Sequence, residues 1–366
     1  VASLWSSFFY ICRYGYFNVL KLFIVMALQK RKFFSMNNSR HCYLYFVISS
    51  QQFLAVKALV PKTRANIDQY CFVFYRNYFE FTLPSCETFY YNMRSWWGYL
   101  FSLWKFSIKI KEIRKNYDNC TIFIAHPWHI PTNYVLFSMP HEAAYMIPDG
   151  ILNYSNLQIN NSRYRKMWIK FFLGYFLALP YKPYQGHLTA CYQKKYDGVY
   201  TFNADGLCSI CGDILPLVLP FSTASLSRKK TLPYTILFLD QPIEWFLPSL
   251  EAGVLRQELW DYINQKTFDR ILYKPHPSII NAKPPSGFLY SVEYVASPLP
   301  AELLIDIYPI NMVISFNSSA LLTISDVYPD IKCVSIGLNK IVKDNNSQNQ
   351  IDLFRSRGIE LYEVSI

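Results

Sequence analysis

Three short stretches combine residue type and spacing in ways that suit proton transfer or the capture of an anion. In Ile147-Pro148-Asp149-Gly150 an acid precedes glycine, and such a turn can hold a carboxylate out to a cleft as a proton acceptor. The same dipeptide recurs at Asp205-Gly206, so alone it marks a turn as readily as a base. In Tyr273-Lys274-Pro275-His276-Pro277 an imidazole sits between two prolines that restrict the backbone and fix its direction, with a lysine two residues away. That pairing suits binding and protonating a phosphate leaving group. In Ser315-Phe316-Asn317-Ser318-Ser319-Ala320, hydroxyl residues stand where a helix would begin, offering O–H and N–H donors to an anion or simply capping the helix. Two further loops join them: His126-Pro127-Trp128-His129, with His126 a candidate for the acceptor side, and Asp240-Gln241-Pro242, with Gln241 a candidate for the donor side.

These loops need rigid elements behind them. From residue 42 onward, short apolar runs rich in β-branched and aromatic residues alternate with longer helical patterns. Strands are predicted at 42–49, 71–75, 120–125, 145–148, 198–202, 234–239, 270–274, 291–295, 312–315 and 332–336. Helices are predicted at 51–59, 93–115, 164–179, 250–265, from 301, and at 319–327. Continuous apolar strands alternating with helices predict parallel sheets, and such sheets bind ligands at the carboxyl ends of their strands. The candidate loops follow predicted strands. Residues 222–233 (STASLSRKKTLP) are polar and basic and read as a linker, giving two Rossmann-like domains, 40–221 and 234–366, around a central cleft.

Composition limits the alternatives. The chain has 366 residues, 52% of them apolar and 18% aromatic, enough for large cores and against global disorder. Six Lys or Arg and no acid lie in residues 1–40, so over half of the net charge of +11 sits there. The remainder is mildly basic, suited to phosphate-bearing ligands or an anionic membrane surface, and lacks the dense patch of a nucleic-acid binder. Nine scattered cysteines fit a reducing cytoplasm better than a disulfide framework. Cys208-Ser-Ile-Cys211 has no second pair to complete a tetrahedral zinc site. Residues 1–35 are apolar but interrupted by Arg13 and Lys21. They read either as a membrane anchor or as translated upstream sequence, with Met36 as the start. The helix carrying Arg165, Lys166 and Lys170 beside Trp168, Phe171 and Phe172 reads as a solvated basic face over a core stripe, or as a surface resting on a membrane.

The order of the motifs resembles the bacterial sialyltransferases, in the glycosyltransferase families that include the lipooligosaccharide and capsule polysialic acid enzymes. An acid-Gly turn comes first, then Lys-x-His-Pro, then Pro300-Ala301-Glu302, then Ser318-Ser319. The stretch from Ile48 to Leu59 is also similar to the first strand–loop–helix of that group and contributes Gln51. The resemblance spans about residues 40–340, on some fifteen specific positions, and implies a GT-B fold. It further implies that Asp149 is the general base and that His276 stabilises and protonates the departing CMP phosphate. Ser318 and Ser319 would bind that phosphate, Glu302 the ribose, and Lys274 and Pro277 would lie along the nucleotide. One departure stands out: relatives usually have two acids before the glycine, and here the first slot is Pro148.

The implied reaction is an inverting in-line transfer of sialic acid from CMP-sialic acid to a surface glycan, free or lipid-linked. No metal, no cofactor and no nucleic acid take part. Asp-x-Asp, the usual metal–diphosphate holder, does not occur. The expected location is the cytoplasm, at the inner face of the membrane, with peripheral membrane contact. Competing readings are a transferase using CMP-Kdo or CDP-glycerol on the same fold, and a non-catalytic membrane-anchored glycan-binding protein.

Overall fold

A computed structural model describes residues 40–63, 66–75, 83, 85–193, 195–208, 211–218, 234–276, 292–295, 297, 299–342 and 348–365. The proposed linker at 222–233, the segment 1–35 and Pro277 lie outside them.

Two parallel sheets follow one another along the chain. The first is built from β1 (His41–Val47), β2 (Asp68–Tyr75), β3 (Glu87–Asn92), β4 (Asn119–Ile124), β5 (Ala143–Met146), β6 (Gly198–Thr201) and β7 (Asp213–Pro216). Its order is β3-β2-β1-β4-β5-β6-β7. The second contains β8 (Thr235–Leu239), β9 (Arg270–Lys274), β10 (Val292–Tyr294), β11 (Met312–Ser315), β12 (Lys332–Ile336) and β13 (Glu360–Tyr362), in the order β10-β9-β8-β11-β12-β13. Both repeat the same doubly wound plan, in which the chain moves outward from its first strand and then reverses past it. The reversal falls between β1 and β4 in the first sheet and between β8 and β11 in the second. Crevices at the carboxyl ends therefore open where the candidate loops lie.

Parallel strands covered on both faces must be apolar on both, and β1, β4, β8 and β11 are almost wholly buried. The high aromatic content has a structural use here. Phe46, Phe72 and Phe89 stand in register on neighbouring strands, stacked with centroids 5.1 and 5.6 Å apart, and Phe106 meets Phe72 edge-on at 5.3 Å. On the opposite face Tyr45, Phe123 and Tyr145 form a second ladder at 4.8 and 5.5 Å. Helices 96–116, 130–137 and 161–176 cover the first ladder, and helix 50–59 covers the second.

The strands predicted at the sheet centres are present within two or three residues of their predicted ends. Three strands had no counterpart in the sequence reading: β3, β7 and β13. Helices Ile130–Phe137 and Gln348–Ser356 were also not anticipated. All eight described cysteines are free thiols, Cys208 and Cys211 among them. No helix of the described residues is long and apolar enough to cross a membrane.

Because Phe72 is fully buried between two ring neighbours and an edge contact, Phe72→Ala is expected to cost about 3–5 kcal/mol. Denaturant unfolding, read as a fall in the midpoint at unchanged slope, measures this.

Candidate functional site

The central strands β1, β4 and β5 are adjacent, so the loops at their carboxyl ends converge. They bring Ser49, Gln52, His126 and Asp149 together. Asp149 Oδ1 accepts from Gln52 Nε2 at 2.5 Å and from Ser49 Oγ at 3.3 Å, and Oδ2 lies 3.2 Å from His126 Nε2. Burial alone would raise the carboxyl's pKa. The contact with His126, with the bonds from Gln52 and Ser49, outweighs it and holds the group below its ordinary value. Asp149 is therefore ionised at neutral pH.

Each donor is itself oriented. The Gln52 amide oxygen accepts from Ile48 N–H at 2.8 Å, which turns its NH2 toward Asp149. Ser49 caps the helix that begins at Ser50 and accepts from Gln52 N–H. His126 Nδ1 accepts from Trp128 N–H at 3.3 Å, which aims Nε2 at Asp149. The Trp128 carbonyl in turn accepts from Lys170 Nζ at 2.6 Å and Tyr181 O–H at 3.4 Å, with the ammonium 3.4 Å above the Trp128 ring. Asn153, buried, accepts from Asp149 N–H at 2.8 Å. Pro148, in the slot where an acid was expected by resemblance, is buried, and Asp149 is the carboxylate these donors hold.

Gly150 carries this edge to the second sheet. Its φ of +60° lies in the left-handed region, and a Cβ there would come 2.7 Å from both Gln51 Oε1 and Ser319 Oγ. Ser319 Oγ donates to Gln51 Oε1 at 3.0 Å. Gln51, expected on the acceptor side, thus joins the acid-Gly turn to the paired-serine loop.

In the second sheet the loops after β8, β9 and β11 adjoin. Ser318 is the N-cap of helix Ser319–Val327 and accepts from Ala320 N–H at 3.3 Å, a bond that uses a lone pair and leaves its proton to donate. Gln241 Oε1 accepts from Asn317 N–H at 3.1 Å, fixing the approach to the serines. Asp240 takes bonds of 2.7 Å each from Arg256 Nη1, Tyr273 O–H and Gln241 N–H. His276 packs edge-on to Trp245 at 6.1 Å. Burial lowers its pKa, with the Asp240 charge opposing and that of Lys274 adding to the fall. Lys274 donates to the Ser297 carbonyl at 2.8 Å, and burial pushes its pKa down to about 8 against the pull of Glu302. Glu302 is buried, which raises its pKa.

The structure thus brings Asp149, His126 and Gln51 together on one edge, and Lys274, His276, Glu302, Gln241 and Ser318 on the other, with Ser319 joining them. Sequence reasoning passed over Ser49, Gln52, Asn153, Arg256 and Tyr273. Ser49-x-x-Gln52 is a capping-box spacing that offered a signal; Asn153 offered none. Among the described residues no three His, Cys, Asp or Glu side chains gather as a metal site requires.

A sequence profile described as "Alpha-2,8-polysialyltransferase (POLYST)" matches residues 99–336. No curated protein sequence matches the chain. Among solved structures, an alpha/beta-galactoside alpha-2,3-sialyltransferase from Photobacterium phosphoreum is similar at 11% identity and TM-score 0.48, covering 88% of this chain and 99% of that one. MurG from Acinetobacter baumannii is similar at 10% and 0.39, covering 88% and 85%. The wall teichoic acid polymerase TagF is similar at 12% and 0.42, covering 81% and 70%. Both sheets of this chain are parallel and doubly wound, as two Rossmann-like units require.

Gly150→Ala forces a side chain into the left-handed region and against Gln51 and Ser319. The expected outcome is a stability loss of about 1–3 kcal/mol by thermal or denaturant unfolding. Turnover should fall more than that loss of folded protein explains.

Proposed function

The chain belongs to the alpha-2,8-polysialyltransferase family, and we propose that it is an inverting, metal-independent enzyme moving sialic acid from CMP-sialic acid to the terminal sugar of a bacterial surface glycan. One observation carries this reading. An ionised, triply held carboxylate lies one residue from a glycine in contact with the serine-capped helix start of the other sheet. A base and an anion site within such reach suit a displacement that takes a proton from one substrate and releases a phosphate from the other.

In the proposed mechanism Asp149 accepts the proton of the acceptor hydroxyl as that oxygen attacks the anomeric carbon. The bond from that carbon to the phosphate oxygen breaks with inversion, and CMP leaves. Sialic acid is a good candidate for this economy, since its departure passes through an oxocarbenium-like state helped by a phosphate leaving group. Positioning and charge neutralisation then carry most of the work. Ser318, Ser319 and the dipole of their helix bind the phosphate, and His276 donates a proton to it. Lys274 and Glu302 lie along the nucleotide, Glu302 toward the ribose, with the Gln241 loop between. His126 holds Asp149 in place from the acceptor side. The acceptor is a lipooligosaccharide or capsule glycan, and the enzyme works in the cytoplasm at the inner face of the membrane.

Donor hydrolysis and transfer assays with CMP-sialic acid, CMP-Kdo and CDP-glycerol test the donor. Turnover of CMP-sialic acid is expected, and exclusive use of CDP-glycerol would overturn the reading. Asp149→Asn is expected to lower kcat by about 10²–10⁴-fold with donor KM little changed. His276→Ala should abolish transfer with unfolding unaltered; near-normal turnover removes its role.

The lowered pKa of His276 also gives a pH signature. A bound phosphate must raise the pKa of an imidazole that donates to it, so donor binding takes up a proton. Affinity therefore tightens as pH falls toward the free-enzyme value, below 6.5. Calorimetry in buffers of different ionisation enthalpy should show that uptake, and His276→Gln should lose it.

A further inference from the structure

We propose that helices Trp96–Asn116 and Asn161–Phe176 form a docking face for an anionic lipid bilayer. This deepens the membrane placement proposed above and rests on it only for the choice of membrane. Each helix is apolar on two opposite sides. In the first, Leu103, Phe106, Ile110 and Ile113 are buried against the sheet. Trp97, Phe101, Trp104 and Ile108 recur at the same helical spacing on the opposite side and are 50–78% exposed. In the second, Met167 and Gly174 face inward, while Ile169, Phe172 and Phe176 point outward at 58–82% exposed. The inner residues of both helices belong to one core, so both outer stripes leave the same face of the first sheet. Apolar surface of this extent on a helix already packed on its other side marks a contact surface.

Charge chooses the occupant. The two helices hold nine Lys or Arg and one acid, Glu112. Lys111 and Lys115 continue the exposed stripe of the first helix, Lys105 lies 4.5 Å over the Phe101 ring, and Arg165 continues the stripe of the second. A second copy of the chain would set cations against cations. Residues 1–39, which contain five Lys or Arg and no acid, would do the same. An anionic bilayer matches both features, with tryptophan at the interfacial depth and lysine and arginine at the headgroups.

The topology aims this face usefully. Helix 96–116 leaves the carboxyl end of β3, the edge where Asp149 and His126 lie, so its tryptophan end sits at that edge. A lipid-linked acceptor held by the same membrane would then be presented to the base.

The test is co-sedimentation of the full chain with phosphatidylcholine vesicles, with and without about a third phosphatidylglycerol. Binding should need the anionic lipid and fall at least about tenfold when salt is raised to about 0.5 M, where the Debye length shrinks to a few ångströms. Trp97→Ser with Trp104→Ser should weaken it by at least about tenfold, and so should the charge-only variant Lys111→Glu with Lys115→Glu, which spares the apolar stripe. Hydrolysis of CMP-sialic acid in detergent-free buffer should be unchanged in both variants, so failure of the surface is read separately from failure of the chemistry. Absence of vesicle binding overturns the proposal, as does binding that both variants retain. A dimer in light scattering that the tryptophan variant dissolves also overturns it and assigns the face to a second copy.

Discussion

The molecule's chemistry depends on an absence at position 150. Two sheets of the same doubly wound plan each offer a row of loops at their carboxyl edge, and a side chain between those rows would hold them apart. Gly150 supplies none. With a left-handed backbone and no Cβ, it leaves Ser319 free to reach Gln51 across the gap. A methyl group would meet both partners well inside contact distance and would also oppose the turn itself. The glycine of the acid-Gly motif is therefore as much a part of the site as the acid.

Around Asp149 the order runs several residues deep. The Trp128 peptide is the junction: its N–H fixes the imidazole of His126, and its carbonyl is tied by Lys170 and Tyr181. Each bond removes an alternative, first the position of the loop, then the direction in which Nε2 points. The carboxylate receives the result as a donor of fixed geometry. Burial pushes the pKa of Lys170 down to about 7, with Lys166 adding to the fall, yet its bond to a carbonyl and its seat on the indole ring give the cation partners there. The arrangement costs desolvation and gains rigidity next to the Asp149 carboxylate.

What the sequence revealed follows from where each element sits. β1, β4, β8 and β11 lie at the sheet centres, apolar on both faces, and write themselves as continuous runs such as CTIFI. The strands missed, β3, β7 and β13, are all sheet edges. An edge strand has one neighbour and only partial burial, so ETFYYN, DILP and ELY show neither a run nor a clean alternation. The candidate loops were legible because proline, glycine and serine act through local backbone rules. The contact between His126 and Asp149 was not, since it arises from the pairing of β4 with β5, which no local pattern encodes, and Asn153, four residues after Asp149 in the same turn, has no distinguishing spacing. Ser49 and Gln52 were a middle case. Their spacing announces a helix start, and only the fold shows that the same two side chains also face a carboxylate.

On the proposed reading, the hydrogen bonds to Asp149 also name the atom that does the work. A carboxylate oxygen has two lone-pair directions. Oδ1 already accepts from both Gln52 and Ser49, so it has no direction left for a substrate. Oδ2 faces only His126 among these donors and keeps one direction open. The acceptor hydroxyl must then approach Oδ2, beside the imidazole, and its proton arrives on the oxygen whose other contact is the His126 ring. That contact holds the direction of the carboxylate before transfer and leaves one lone pair turned to the substrate. Because the Trp128 N–H fixes the His126 ring, the open direction on Oδ2 is fixed with it.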